Sequence, residues 1–103
     1  MSDTEVTRDE AAQRYELRVG GQLAGFAEYQ TTPELIVFTH TVIEPQFEGQ
    51  GLGSTLARAA LDDVRAAGGR QVLPLCPFIT SWIGRHAEYA DLVYRAPEPT
   101  AED

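Results

Sequence analysis

His40-Thr41-Val42-Ile43-Glu44-Pro45-Gln46-Phe47-Glu48-Gly49-Gln50-Gly51-Leu52-Gly53-Ser54-Thr55-Leu56 is the stretch in which the hydrophobic period of this chain changes. Leading into it, Leu35 to Ile43 is rich in β-branched and aromatic residues and reads as a strand. Beyond it, Leu52, Leu56, Ala60, Val64 and Ala67 recur at three and four residues, one stripe of a helix, with Arg58, Asp62 and Arg65 off the stripe. Between them Pro45 disfavours helix at Glu44, and Gly49, Gly51 and Gly53 alternate. The first amides of a helix have no intrahelical acceptors, and the helix dipole adds about half a positive charge there. Glycine lets a phosphate approach that backbone closely. Ser54 and Thr55 can add hydroxyl donors. The stretch therefore reads as a phosphate or pyrophosphate cradle; a loop-to-helix turn with no ligand is the plainer alternative.

Working outward, Gln13 to Val19 alternates, with Tyr15, Leu17 and Val19 on one face and Glu16 and Arg18 on the other. Gly20-Gly21 reads as a hairpin turn, Leu23 to Gln30 as the next strand, and Thr31 to Glu34 as a second turn. On the other side, Gly68-Gly69 ends the helix. Gln71 to Leu75 is a short apolar strand bracketed by Pro74 and Pro77, and Thr80 to Val93 reads as a second helix carrying Trp82, Ile83, Tyr89 and Leu92. The expected order is β-β-β-α-β-α. A three-stranded meander joined to one right-handed β-α-β unit gives a mixed sheet of the α+β class.

The chain has 103 residues, one domain's worth, and 43% of them are hydrophobic. Its formal charge of −8 sits mostly at the two ends. Residues 1–12 hold four acids against Arg8, and residues 96–103 hold Glu98, Glu102 and Asp103. Both segments read as acidic, disordered tails flanking a domain at 13–95. Nothing forms the basic stripe that nucleic-acid binding needs. No apolar run approaches the ~18–20 residues that cross a bilayer, and Met1 to Glu5 lacks the features of a secretory signal. Cys76 is the single cysteine, so no internal disulfide forms, and with His40 and His86 scattered a clustered zinc site lacks ligands. The expectation is a cytoplasmic protein, a monomer or weak homodimer, with no metal, nucleic acid or membrane partner. All eight basic residues are arginines, so no side-chain amine is available for self-acetylation.

Two familiar phosphate sites fail to match the glycines. A dinucleotide-binding turn needs an acid at the end of the next strand, and here that strand ends in Leu75-Cys76. The P-loop needs Gly-Lys-Ser/Thr, which is absent. His40 to Ile43 through Glu48 to Leu56 instead resembles the acetyl-CoA-binding motif of GNAT N-acetyltransferases. Ala60-Leu61, Gly68-Gly69, Leu73 to Ile79, Trp82-Ile83 and His86 to Tyr89 continue the resemblance to short single-domain GNAT-like proteins, over about residues 13–94. The resemblance implies a minimal GNAT fold with acetyl-CoA or CoA as cofactor. It puts the pyrophosphate on the backbone of Glu48, Gly49, Gln50, Gly51, Leu52, Gly53 and Ser54, with Thr55 beside it. The pantetheine arm would run along Val42 and Ile43, in a cleft where that strand and the Val72–Leu75 strand splay apart. Glu48 departs from the pattern, which has Gln or Arg there; a carboxylate opposes a diphosphate unless it points away.

The resemblance also implies acyl transfer to a small-molecule or protein amine, which must lose its proton, against a lysine-like pKa of ~10.4. Cys76, just ahead of Pro77, is one catalytic candidate, as a nucleophile or as a thiol beside that of CoA; a small buried residue is the alternative. His40 is a candidate general base or a structural histidine, and Glu44 can take a proton through water, with Thr41 a polar neighbour. Arg85, His86 and Glu88 read as a solvated face, and Phe78 and Trp82 as core. Three functions fit: an N-acyltransferase, a non-catalytic CoA or acyl-CoA module serving as sensor or carrier, and, more weakly, a phosphate-binding interaction domain.

Overall fold

The computed structural model describes residues 3–95; the C-terminal tail expected at 96–103 lies outside them. The strands are β1 (Thr4–Asp9), β2 (Arg14–Val19), β3 (Gln22–Thr31), β4 (Leu35–Ile43) and β5 (Gln71–Pro74), and the helices are α1 (Leu52–Ala67) and α2 (Pro77–Gly84). One sheet runs in the order β1-β2-β3-β4-β5, antiparallel through β4, with β5 parallel to β4 across the α1 connection. The α+β class with a mixed sheet stands as expected.

Local chemistry accounts for most elements. Gly20 and Gly21 both have positive φ, 57° and 82°, which is what a two-residue turn between β2 and β3 requires. The apolar stripe of α1 buries Leu56, Ala57, Ala60, Leu61 and Val64. Opposite them lie Tyr15, Leu17, Ala24, Ala27, Tyr29, Ile36, Phe38 and Val72 of the sheet, and α2 adds Ile79, Trp82 and Ile83 to the same core. The helix α1 packs on β1–β3 and α2 on β4 and β5, and the two helices touch.

Two expectations are corrected. Residues 1–12 are not a tail throughout, because Thr4–Asp9 pairs along its length with β2. Its acids point outward: Asp3 and Glu5 are exposed, while Val6 packs on the core and Arg8 donates Nε–H to the Tyr29 hydroxyl at 2.8 Å. An average over the segment's charge conceals this two-residue alternation. The second helix starts earlier and ends sooner than Thr80–Val93. Pro77 occupies its first turn, where a missing N–H costs nothing. The helix stops at Gly84, and Ala87–Leu92 continues as a 3-10 turn.

Candidate active site

The loop before α1 divides its amides sharply. Phe47 N–H donates to Glu44 O (2.8 Å) and Glu48 N–H to Pro45 O (3.2 Å), closing a 3-10 turn. The first helical bond runs from Thr55 N–H to Gly51 O at 3.3 Å. Between them, the amides from Gly49 to Ser54 meet no acceptor among the described residues, and no side chain caps Gly51. The run of uncommitted amides thus begins at Gly49, one residue later than the expected cradle, because the Glu48 amide already has a partner. Gly49 and Gly51 sit at φ 84° and 73°, the left-handed region that disfavours side chains. Gly53 is helical and is glycine for another reason: a Cβ there would lie 2.9 Å from Cζ of Phe78. Glu48 is exposed.

The end of β4 is shaped by a bulge. Glu28 faces His40 and Tyr29 faces Phe38, which leaves Thr39 as the extra residue. Glu44 N–H donates to Ala24 O at 2.7 Å. Counting back in twos along the antiparallel ladder, Val42 and His40 turn their backbone toward β3, and Thr41 and Ile43 turn theirs away from it. On that side β5 has already ended, since pairing stops at Phe38 with Pro74. The Leu75 and Cys76 amides both converge on Phe38 O, at 3.0 Å each, and the chain turns off into α2. The two parallel strands therefore splay beyond Phe38, and backbone groups of Thr41 and Ile43 border the gap.

Cys76 is the N-cap of α2 and is only 4% exposed. Its thiol donates to the Thr41 hydroxyl at 3.2 Å across the inner end of the gap. The structure thus brings Thr41 and Cys76 together. His40 is not with them: it is exposed and alternates to the opposite face of the sheet. Val42 shares that opposite face, half-buried, while Ile43 packs on the core. Glu44 is half-buried where β4 ends.

The α2 helix holds the start of α1 in place. Phe78, Trp82 and His86 follow at intervals of four. Phe78 lies against Gly53, and Trp82 Nε1–H donates to Ser54 Oγ at 2.8 Å. His86 stacks on the indole, with centroids 3.8 Å apart and planes 12° from parallel, and Trp82 O lies 2.7 Å from its Nδ1. His86 is therefore half-buried rather than part of a solvated face. Arg85 and Glu88 are exposed as expected; Arg85 donates to Ser81 Oγ, and Glu88 pairs with Arg58 at 3.5 Å. The Thr55 hydroxyl faces the Gly51 carbonyl at 3.5 Å. Neither the bulge nor the Trp82–Ser54 bond was read from the sequence; the four-residue spacing of the aromatic residues was its one visible trace.

Glu16 and Tyr15, whose titration is shifted, lie away from this gap. Hydrogen bonds from Arg14 and Arg18 hold the Glu16 carboxyl below its usual range. Burial, then the hydrogen bond to Asp63, pushes the Tyr15 phenol up. A surface hollow of about 520 Å³, lined by Thr32 to Leu35, Gln71 and Tyr94, is at the far end of β4 from the loop. Anion recognition at a helix start needs little enclosure, so cavity size does not by itself point to a site.

Comparison with known proteins agrees with this geometry. The model of the GCN5-related N-acetyl-transferase family matches residues 14–92. No curated protein matches. Among solved structures, the fold is similar to the NMR structure of a GCN5-like candidate N-acetyltransferase from Staphylococcus aureus. That match has TM-score 0.68 and 18% identity, covering 100% of both chains. It is also similar to a crystal structure of ribosomal-protein-alanine N-acetyltransferase from Brucella melitensis biovar Abortus 2308. There the TM-score is 0.55 at 17% identity, over 84% of this chain and 64% of that one. The family match from β2 through the 3-10 turn after α2, over residues 14–92, decides the assignment: this chain belongs to the GCN5-related N-acetyl-transferase family.

Proposed function

We propose that the protein is a CoA-dependent N-acyltransferase that moves the acetyl group of acetyl-CoA to a small-molecule or protein amine. The observation carrying this reading is the run of backbone amides from Gly49 to Ser54 with no acceptor among the described residues, at the N-terminus of a helix of 16 residues. Such a run suits a diphosphate, and positive-φ glycines at 49 and 51 keep side chains off it. The residues present therefore fit CoA. When bound, the cofactor supplies an activated acyl thioester.

The chain's own residues bind and orient. The backbone groups of Thr41 and Ile43 that border the gap can hydrogen-bond an amide-bearing arm as a neighbouring strand would. Cys76 and Thr41 close the inner end, where Cys76 serves as a lining group: its thiol is buried and bonded to Thr41. Alignment of two reactants can supply ~7–11 kcal/mol without a dedicated catalytic side chain. His40 faces the opposite side of the sheet, so removal of the amine proton falls to Glu44, half-buried where β4 ends, acting through water, or to water itself. The protein acts as a monomer or weak homodimer in the cytoplasm.

Acetyl-CoA turnover across a panel of amines tests the assignment. Thiol labelling tests the place of Cys76: CoA should slow modification, and equal labelling with and without CoA would remove Cys76 from the acyl end. A second reading, a CoA or acyl-CoA module without turnover, is favoured by the distance His40 keeps from the Cys76 side of the sheet. Retained CoA with no acetyl transfer to any amine would establish it.

A further inference from the structure

We propose that Trp82 is a positioning residue for the diphosphate, acting through Ser54: its indole N–H fixes the Ser54 hydroxyl so that the serine proton is presented at the start of α1. The inference rests on the CoA reading above. Trp82 is 1% exposed, and its Nε1–H lies 2.8 Å from Ser54 Oγ. An indole N–H donates and never accepts, so the serine oxygen must be the acceptor and the serine proton must go elsewhere. No described residue takes it. Ser54 is the third residue of α1 and is half-exposed. Side chains of a helix lean toward its N-terminus, which brings this hydroxyl beside the uncommitted amides. A hydroxyl that already accepts a hydrogen bond is polarised into a better donor, and donation to an anionic oxygen is the stronger, charge-assisted kind.

The neighbouring hydroxyl differs. The exposed Thr55 hydroxyl faces the Gly51 carbonyl at 3.5 Å, whereas the Ser54 hydroxyl is fixed as an acceptor by the indole and has no acceptor for its own proton among the described residues. The indole itself is held on several sides. His86 stacks at 3.8 Å, the Tyr89 ring lies 5.2 Å away, and the Arg58 guanidinium stands 5.3 Å over the ring. A side chain this constrained can set the direction of a bond, not only fill space.

Calorimetry of CoA binding to wild type, Ser54→Ala, Ser54→Thr, Trp82→Phe and the double variant Ser54→Ala/Trp82→Phe tests this, with melting temperatures in parallel. Ser54→Ala should weaken CoA about tenfold or more, the scale of a hydrogen bond to a charged group, and Ser54→Thr should restore most of the affinity. Trp82→Phe should weaken CoA in the wild-type background and add nothing in the Ser54→Ala background. Trp82 is the only tryptophan, so one indole N–H resonance reports the bond; it should move on adding CoA to wild type and stay still in Ser54→Ala. Wild type that binds CoA while Ser54→Ala binds equally well, or a Trp82→Phe loss that adds in full to that of Ser54→Ala, overturns the inference alone. Wild type that does not bind CoA overturns the cofactor reading beneath it. If Trp82→Phe does not fold, the Ser54 pair and the indole resonance decide.

Discussion

Gly25 links the fold to the site in a way one methyl group can expose. It sits in β3 opposite Ile43, and a Cβ there would lie 2.5 Å from the Val42 carbonyl oxygen and 2.7 Å from Ile43 Cδ1. The nearer atom belongs to the backbone of a paired strand, so relief requires β4 to move away from β3. Overpacking of this kind costs ~1–3 kcal/mol, and a backbone clash belongs at the upper end. Replacing glycine in a strand returns ~0.5–1 kcal/mol of chain entropy, which leaves Gly25→Ala about 2 kcal/mol less stable. For a domain of this size each kcal/mol is roughly 4–8 °C, so thermal melts should fall by about 8–16 °C. The displaced segment is Thr41–Ile43, so CoA affinity measured well below the melt should fall too. Gly21→Ala is the control: its added Cβ meets nothing within 4 Å, so it pushes on no part of β4, and its φ is 82°. It should lose stability and keep CoA affinity. A Gly25→Ala protein that melts at or above wild type would refute the close approach of β3 to β4, and with it the placement of Ile43 beside the gap.

The other predictions concern the loop and two titrating groups. Gly51→Glu puts a carboxylate at a left-handed position among the diphosphate donors and should abolish CoA binding; Gly53→Glu should do the same and also displace Phe78, lowering the melting temperature as well, so unchanged affinity by calorimetry in either would remove the cradle. The Glu16 carboxyl is held below its ordinary value of 4.5 by Arg14 at 2.7 Å and Arg18 at 2.8 Å. Its contribution is therefore present above that value and lost as pH falls through the folded one. The stability difference between wild type and Glu16→Gln should be full at neutral pH and shrink in acid below about pH 4.5, and a difference independent of pH would contradict the pairing. Tyr15 runs the other way: its phenol is raised above 10.0 by burial and by its bond to Asp63. The stability it adds over Tyr15→Phe should hold below pH 10.0 and disappear as alkali ionises it; denaturant melts across the alkaline range measure this, and a constant difference would argue against the Tyr15–Asp63 bond.

The change of period between Ile43 and Leu52, the paired glycines at 20 and 21, and the stop at Gly68-Gly69 were all legible in the amino-acid order. Each depends on contacts within a few residues, so local propensity and local geometry coincide there. The same locality made the uncommitted amides before α1 readable, because helix-start amides and positive-φ glycines need no distant partner. The β1 strand escaped because its inward residues, Val6 and Arg8, are outnumbered by outward polar ones, and its burial comes from Tyr29 and the core rather than from its own sequence. The helix at Pro77 was read too long because the aromatic spacing runs on past Gly84, where the backbone gives up the α-helix for a 3-10 turn.

The amino-acid order by itself determined the order of most elements, the class of the sheet and the place of the glycine-rich helix start, since periodicity, turn residues and helix ends are properties of short segments. Tertiary structure alone decided which donors remain available there, and which side chains flank the gap. The Thr39 bulge that turns the Thr41 backbone away from β3 arises only when β4 pairs with β3. Cys76 meets Thr41 only because β5 ends early beside β4, and Gly53 and Ser54 meet Phe78 and Trp82 only when α2 crosses the start of α1. The contacts of Cys76, Phe78 and Trp82 join residues more than twenty positions apart, and no local pattern encodes a distance that closes only when the chain folds.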